Sequence, residues 1–578
     1  MRKTAAAVLV LILALAGGCA RLHMGDKQKA SEMDLALRDA LKSAGTPAYI
    51  TQDTEGARLW KLTRQFYTSR DFAPAWIKDA EPKAQMEAFI EAIGDARAEG
   101  LDPELYSYSL LRQKRHDASK GFLTKKGFDP KEAGAMDVWL TYLYMKYSSD
   151  LANGLSDLAH ADPTWKIRPD TFDPLAHLER ALAENHVAQS LSELTPTHPV
   201  YQGLRKALAE YRDKVAHGGW PAVPASMKLK PGQQSALVPL LARRLAASGD
   251  YAGAIPPEGR PAVYGADIQE AVKRFQRRHG LTDDGTVAPP TVAEMNVPVD
   301  GRIRAIELNM ERWRWLPRDL GERHILVNVP EMRLDVVDHD RVPLTMRVVV
   351  GKRDTPTPIF DDDMTNVVFS PYWNVPADIA QNETLPAALR DPGFLQRTNM
   401  EVIDASGNPV DPGSIDLGSP EQYRFRQKPG TSNSLGLVKF MFPNQFNVYL
   451  HDTPADSLFA RSSRSFSHGC VRVEQPEKLA EYVLHDQPEW TPERISEAMH
   501  AGRERSVKLL TPIPVYIAYF TANVSADGLV QFRKDVYGID ASLTARLNDR
   551  LRRLRSTASA SATAITAPRT KPRRAPRR

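Results

Sequence analysis

Apolar positions recur at helical spacing from about Lys27 to Trp220. Leu204, Leu208, Tyr211 and Val215 fall at i, i+4, i+7 and i+11, one face of an α-helix, and Gly218-Gly219 stop it. The aromatic residues between Leu59 and Trp76 are spaced irregularly, as core residues are, so 27–223 reads as a helical scaffold. A smaller helical module follows over 224–299. Leu237, Leu240, Leu241 and Leu245 form one stripe closed by Gly249. A second helix is predicted from Asp267, with Glu270 three residues on in a capping-box arrangement; its face is Ile268, Val272 and Phe275, and Gly280 ends it. The span 300–322 is helical again, its Trp313 and Trp315 predicted as core that returns the chain to the scaffold.

From Arg323 the period changes to two. Ile325, Val327 and Val329 alternate with Leu326 and Asn328, and Leu344, Met346, Val348 and Val350 alternate up to Gly351. Asn366 to Ser370 and Lys439 to Leu450 read as further strands of a mostly-β domain over 323–514. Within it the pattern lapses at 377–439, a polar, proline-punctuated stretch long enough to be a lid. Glu477 to Leu484 reads as a helix, and 515–555 as a final strand and helix. Residues 556–578 hold too few large apolar side chains to order themselves. The fold class is multidomain α+β.

Composition changes this picture little. At 578 residues, 42% hydrophobic and 25% charged, the chain is an ordinary globular protein of about three to four domains. The net charge of +5 misleads, because Arg569 to Arg578 alone carries six positive charges and leaves the remainder close to neutral. Lys273, Arg274, Arg277 and Arg278 form a basic run on one predicted helix, read as a solvated face. Nucleic acid is therefore not an expected partner. Met1-Arg2-Lys3 and the apolar run Ala5 to Ala16 form a secretory leader, too short to span a bilayer. Leu15-Ala16-Gly17-Gly18-Cys19 resembles a bacterial lipobox, which implies a lipid anchor on Cys19 and, with Ala20 after it, the periplasm and the outer membrane.

Only two cysteines occur, Cys19 and Cys470. With Cys19 lipidated, Cys470 has no disulfide partner in a compartment that forms disulfides readily. It ends Ser467-His468-Gly469-Cys470, 19 residues after His451. A cysteine nucleophile needs a proton acceptor in reach and donors for the oxyanion, and Gly469 lets the backbone turn sharply below the thiol. No Cys, Asp or Glu stands at metal-ligand spacing from these histidines, so neither metal nor cofactor is expected.

Tyr449-Leu450-His451-Asp452-Thr453-Pro454 and Ser467-His468-Gly469-Cys470-Val471-Arg472 resemble the signature of the L,D-transpeptidases with a YkuD-type catalytic domain, in their large periplasmic form. Val349-Val350-Gly351-Lys352, Thr355 to Pro358, Pro371 to Pro376 and Asn433 to Gly436 extend the likeness over Arg323 to Pro514. The resemblance implies that Cys470 is acylated by a peptidoglycan stem peptide and that His451 is the general base. Ser467, His468 and Gly469 shape the turn and the oxyanion site; Arg472, Tyr449 and Trp373 meet substrate; and 377–439 caps the site. Phe275-Gln276, His279-Gly280-Leu281, Asp284-Gly285 and Thr291 resemble the peptidoglycan-binding domain of wall hydrolases. A second stem peptide is the implied acceptor. Water (an L,D-carboxypeptidase), a protein lysine (tethering to the wall) and a non-catalytic wall-binding scaffold remain the alternatives.

Overall fold

The computed structural model describes residues 31–566 apart from 43–45, 48–49, 51, 120–126, 156–164, 340, 392, 412–413, 415–421 and 526, and side chains as far as Arg553. The expected leader and Cys19 lie outside these residues, as does 567–578.

The first layer is helical. Glu32–Leu41 packs along Pro130–Asn153, the long helix at the centre of the scaffold, whose neighbours include Thr54–Ser69 and Pro174–Ala183. Asp137 on that central helix is fully buried, and its carboxylate accepts the amides of Ala75, Trp76 and Ile77 and the Tyr67 hydroxyl. Each lone pair that burial would leave orphaned is thus used. Leu204, Leu208 and Tyr211 face inward on Pro199–Ala216, while Val215 ends the stripe exposed.

Residues 223–295 form a unit with its own core around Leu241, Leu245, Ile268, Val272 and Phe275. The predicted capping box does not form. The helix Ala266–Arg278 starts from Gly265 without a side-chain cap, because Asp267 accepts the Tyr251 hydroxyl at 2.7 Å and Glu270 takes Lys273 at 2.8 Å. Nor is its basic run wholly solvated. Arg278 is buried, holds Asp250 through two nitrogens at 2.8 and 2.7 Å, and donates to the Val530 carbonyl.

Val299–Arg314 returns the chain to the scaffold, packing on Pro199–Ala216, and Trp313 and Trp315 are buried as expected. The β domain is a nine-stranded sheet in the order Ser465–Ser467, Arg341–Gly351, Val471–Val473, Leu450–His451, Val438–Met441, Phe360–Phe369, Arg505–Ala518, Arg323–Asn328, Arg333–Asp338. Arg333–Asp338 also pairs with Arg341–Gly351, so the sheet closes on itself. Its interior (Val327, Val348, Val367, Leu450, Val515) is continuous with the scaffold core.

Four expectations change here. The strand over 439–450 is two short pieces, because Asn447 has φ +54° and the Asn444 side chain ties the loop to the Phe442 and Val448 carbonyls. The last sheet strand starts at Arg505, ten residues before the apolar run, so a boundary at 514 divides a strand. The stretch 377–439 carries a four-stranded sheet with Trp373–Asn374, and Val375, Leu395, Val402 and Phe425 form its core. Beyond the sheet, Ile539–Thr566 is one helix that runs ten residues past 556, where order was expected to end.

Candidate active site

Two neighbouring central strands carry the candidate residues His451 and Cys470. Leu450–His451 pairs in parallel with Val471–Val473, with Leu450 opposite Val471 and His451 opposite Arg472. Cys470 immediately precedes its strand, level with Tyr449, so His451 stands diagonally across from it, two residues further along the neighbouring strand. The Val471 amide donates to the Tyr449 carbonyl at 3.2 Å and fixes that register.

The turn before the thiol is held from inside. Ser467 Oγ donates to the Cys470 carbonyl at 2.6 Å and accepts the Gly469 amide at 3.1 Å. Gly469 has φ +120°, a conformation closed to most side chains. The Thr357 hydroxyl donates to the Gly469 carbonyl at 2.8 Å and accepts the Gly351 amide at 2.9 Å. Because Gly469 N–H is spent on Ser467, it is a turn residue. The amides of His468 and Cys470 make no hydrogen bond among the described residues.

His451 is buried, and its Nδ1 lies 2.6 Å from the Asp452 carbonyl oxygen. A carbonyl can only accept, so Nδ1 carries the proton and Nε2 keeps its lone pair. Burial, reinforced by Arg472, lowers the imidazole to about 3, so it is neutral at ordinary pH. The Asp452 carboxylate anchors this arrangement, accepting the Leu437 and Thr453 amides at 2.7 Å each. Asp452 is a residue that sequence reasoning passed over, although it stands in the Tyr449 to Pro454 stretch. Thr357 was passed over in the same way.

Burial pushes the half-buried Cys470 thiol up, against the Tyr449 amide, the Tyr449 hydroxyl and Arg472, which favour the thiolate. No hydrogen bond joins the thiol to His451; it points to the Asn447 carbonyl at 3.8 Å. Catalytic contacts are commonly loose in a free protein and tighten on substrate. Tyr449 also meets the His451 ring edge-on at 5.7 Å. Arg472 has no carboxylate partner among the described residues, and its Nε is buried without a partner.

The other two predicted residues involve the cap. His468 is exposed on the turn, and its Nε2 lies 2.8 Å from Glu383 Oε1 in the cap's π-helical turn Ala380–Thr384. Trp373 pairs with Gln427 in the cap sheet, and no hydrogen bond or ring contact links it to Cys470 or His451 among the described residues. Among the described residues no His, Cys, Asp and Glu cluster suits a metal ion, and no helix is long and apolar enough to cross a membrane.

Three family models match the chain. Residues 61–208 match a scaffold domain, 234–295 a domain described as "Putative peptidoglycan binding domain", and 322–508 the L,D-transpeptidase catalytic domain of the YkuD family. A curated Haemophilus influenzae protein named "Putative L,D-transpeptidase" is 34% identical over 257 residues, which is 44% of this chain and 50% of that protein. The chain thus spans about half the length of the curated relative it matches. Among solved structures, an L,D-transpeptidase from Mycobacterium smegmatis shares 15% identity over 34% of this chain and 58% of its own, with a TM-score of 0.17. One from Stackebrandtia nassauensis shares 14% over 51% of this chain and 97% of its own, at 0.21. Likeness at that level carries no argument about this fold. The family matches, set beside the chain's own Ser-His-Gly-Cys turn and its neighbouring histidine, identify residues 322–508 as a YkuD-type L,D-transpeptidase catalytic domain, an enzyme domain carried in one chain with a scaffold and a peptidoglycan-binding domain.

Proposed function

We propose that the protein is an L,D-transpeptidase that joins peptidoglycan stems through a cysteine acyl-enzyme. The observation that carries this reading is the fixed tautomer of His451, which leaves Nε2 free as a base one strand away from Cys470. The thiol leaves the Asn447 carbonyl and gives its proton to Nε2. Sγ then bonds to the carbonyl carbon between the third and fourth residues of a tetrapeptide stem. The amides of His468 and Cys470 donate to the oxyanion. The C–N bond breaks, and the terminal D-Ala amine departs with the proton held by His451. An amine on the third residue of a second stem then attacks the thioester, His451 takes its proton, and Sγ leaves to recover it as the thiol. The product is a cross-link between third residues. Arg472, without a carboxylate partner among the described residues and interacting with the thiol, holds a stem carboxylate in this reading.

The test incubates protein lacking residues 1–19, and its Cys470→Ala variant, with disaccharide-tetrapeptide, read by mass spectrometry. A dimer short of one D-Ala, absent with the variant, is the expected result. A tripeptide monomer alone assigns water as acceptor and a carboxypeptidase. Product formation by the variant overturns the role of Cys470.

The same reading puts the protein in the periplasm, anchored by a lipid on Cys19. Mature protein without a diacylglycerol adduct at Cys19 contradicts the anchor.

A further inference from the structure

A groove of about 950 Å³ lies between the peptidoglycan-binding module and the catalytic domain. One wall is the module's loop after Gly280, with Thr282 and Asp283; the other includes Thr345 to Arg347 and Ala460 to Arg464. The walls do not swing freely. Arg278 of the module donates to Val530, Arg533 donates back to the Arg278 carbonyl at 3.0 Å, and Arg533 also pairs with Glu331 at 2.7 Å. His279 stacks between Phe275 at 3.9 Å and Phe532 at 5.7 Å across the same seam. The module is therefore tied through residues 530–533 to Glu331 of the catalytic domain, and the groove is formed in the free protein.

Its position and two unpaired cations point to an occupant. Arg464 immediately precedes Ser465–Ser467, the strand that delivers the catalytic turn, so the groove runs out six residues before Cys470. That is about 20 Å along extended chain and less across the turn. An extended stem of four residues reaches about 14 Å. Two cations on the groove, Arg461 and Lys534, are exposed and have no carboxylate partner among the described residues; Arg461 rests on the Phe466 ring at 5.1 Å. Hydroxyls of Thr282, Ser462 and Ser463 supply small donors and acceptors beside them.

We propose that this groove is a composite site for a glycan strand of peptidoglycan. Arg461 and Lys534 take carboxylates of its stem peptides, and the rigid seam presents a neighbouring stem to Cys470. The module thus sets the position of the polymer relative to the thiol. The inference rests on peptidoglycan being the substrate.

The full chain in its Cys470→Ala form is pelleted with purified sacculi, with and without R461E/K534E; turnover of the active chain is measured on disaccharide-tetrapeptide and on glycan chains of several repeats. The charge reversal should weaken pelleting about tenfold and lower kcat/KM on the polymer alike, through KM, while turnover of the monomer stays unchanged. Unchanged pelleting, or equal loss on monomer and polymer by a folded variant, overturns the proposal. If R461E/K534E fails to fold, T282W on the opposite wall makes the same test by bulk. If the unmutated active chain turns over neither substrate, the transpeptidase reading falls; loss of pelleting by the groove variants would still uphold the site.

Discussion

At the residue scale the site is a neutral pair. His451, lowered to about 3, carries no charge at pH 5 to 9, and burial holds the Cys470 thiol above its usual value. Alkylation of Cys470 by iodoacetamide in the free protein should therefore climb only on the alkaline side of the usual thiol value near ~8.5. A plateau of reactivity at pH 5 to 6 would reveal a thiolate–imidazolium pair and contradict this account. Arg472 favours the thiolate, so Arg472→Met should slow alkylation at pH 8 further; faster alkylation would contradict its place beside the sulfur. Thr357→Val keeps the shape but leaves the Gly351 amide and the Gly469 carbonyl without that hydroxyl. It should cost about 1–3 kcal/mol in urea unfolding and lower kcat more than it changes KM.

At the element scale the loops around the strands position the chemistry. Gly436 has φ +61°, and a Cβ there would collide with the Asp452 carboxyl group, which anchors the residue orienting His451. Gly436→Ala should lower both stability and kcat. Gly407→Ala, at φ +86° with nothing within 4 Å, should cost only the left-handed conformation, about 1–2 kcal/mol, with kcat intact. Equal effects from the two would refute the role of Asp452. What the sequence made legible was local. Periodicity located the scaffold stripe ending at Tyr211 and the alternation before Gly351, and the Ser-His-Gly-Cys turn stood out with His451. Elements decided by distant partners were hidden. The cap strands are too short to show a period, as in the four residues Arg424–Gln427. Arg278 reads as solvated until Asp250 and Val530 close on it, and Asp267 reads as a cap until Tyr251 claims its carboxylate.

At the scale of the whole molecule, scaffold and catalytic sheet share one core, and the binding module is fastened to them through a seam containing a buried histidine. Burial, with Arg302, Arg278 and Arg244 nearby, holds His279 well below its usual value, while its ring nitrogen meets the Phe275 carbonyl. In the unfolded chain it titrates near ~6.5. Below that pH the unfolded state binds a proton the folded state refuses, so stability falls with falling pH, by about 1.4 kcal/mol per unit for this group. The melting midpoint should drop between pH 7.5 and 5.5, and drop less in His279→Gln; the same slope in both would remove the seam from the explanation. Acyl transfer through Cys470 is tested by intact-mass analysis and peptide mapping of the protein quenched during turnover of disaccharide-tetrapeptide. The expected result is an adduct of the donor less its terminal D-Ala, carried on the peptide containing Cys470. An adduct on another residue, one that retains the D-Ala, or turnover with no adduct under conditions that preserve thioesters would contradict it.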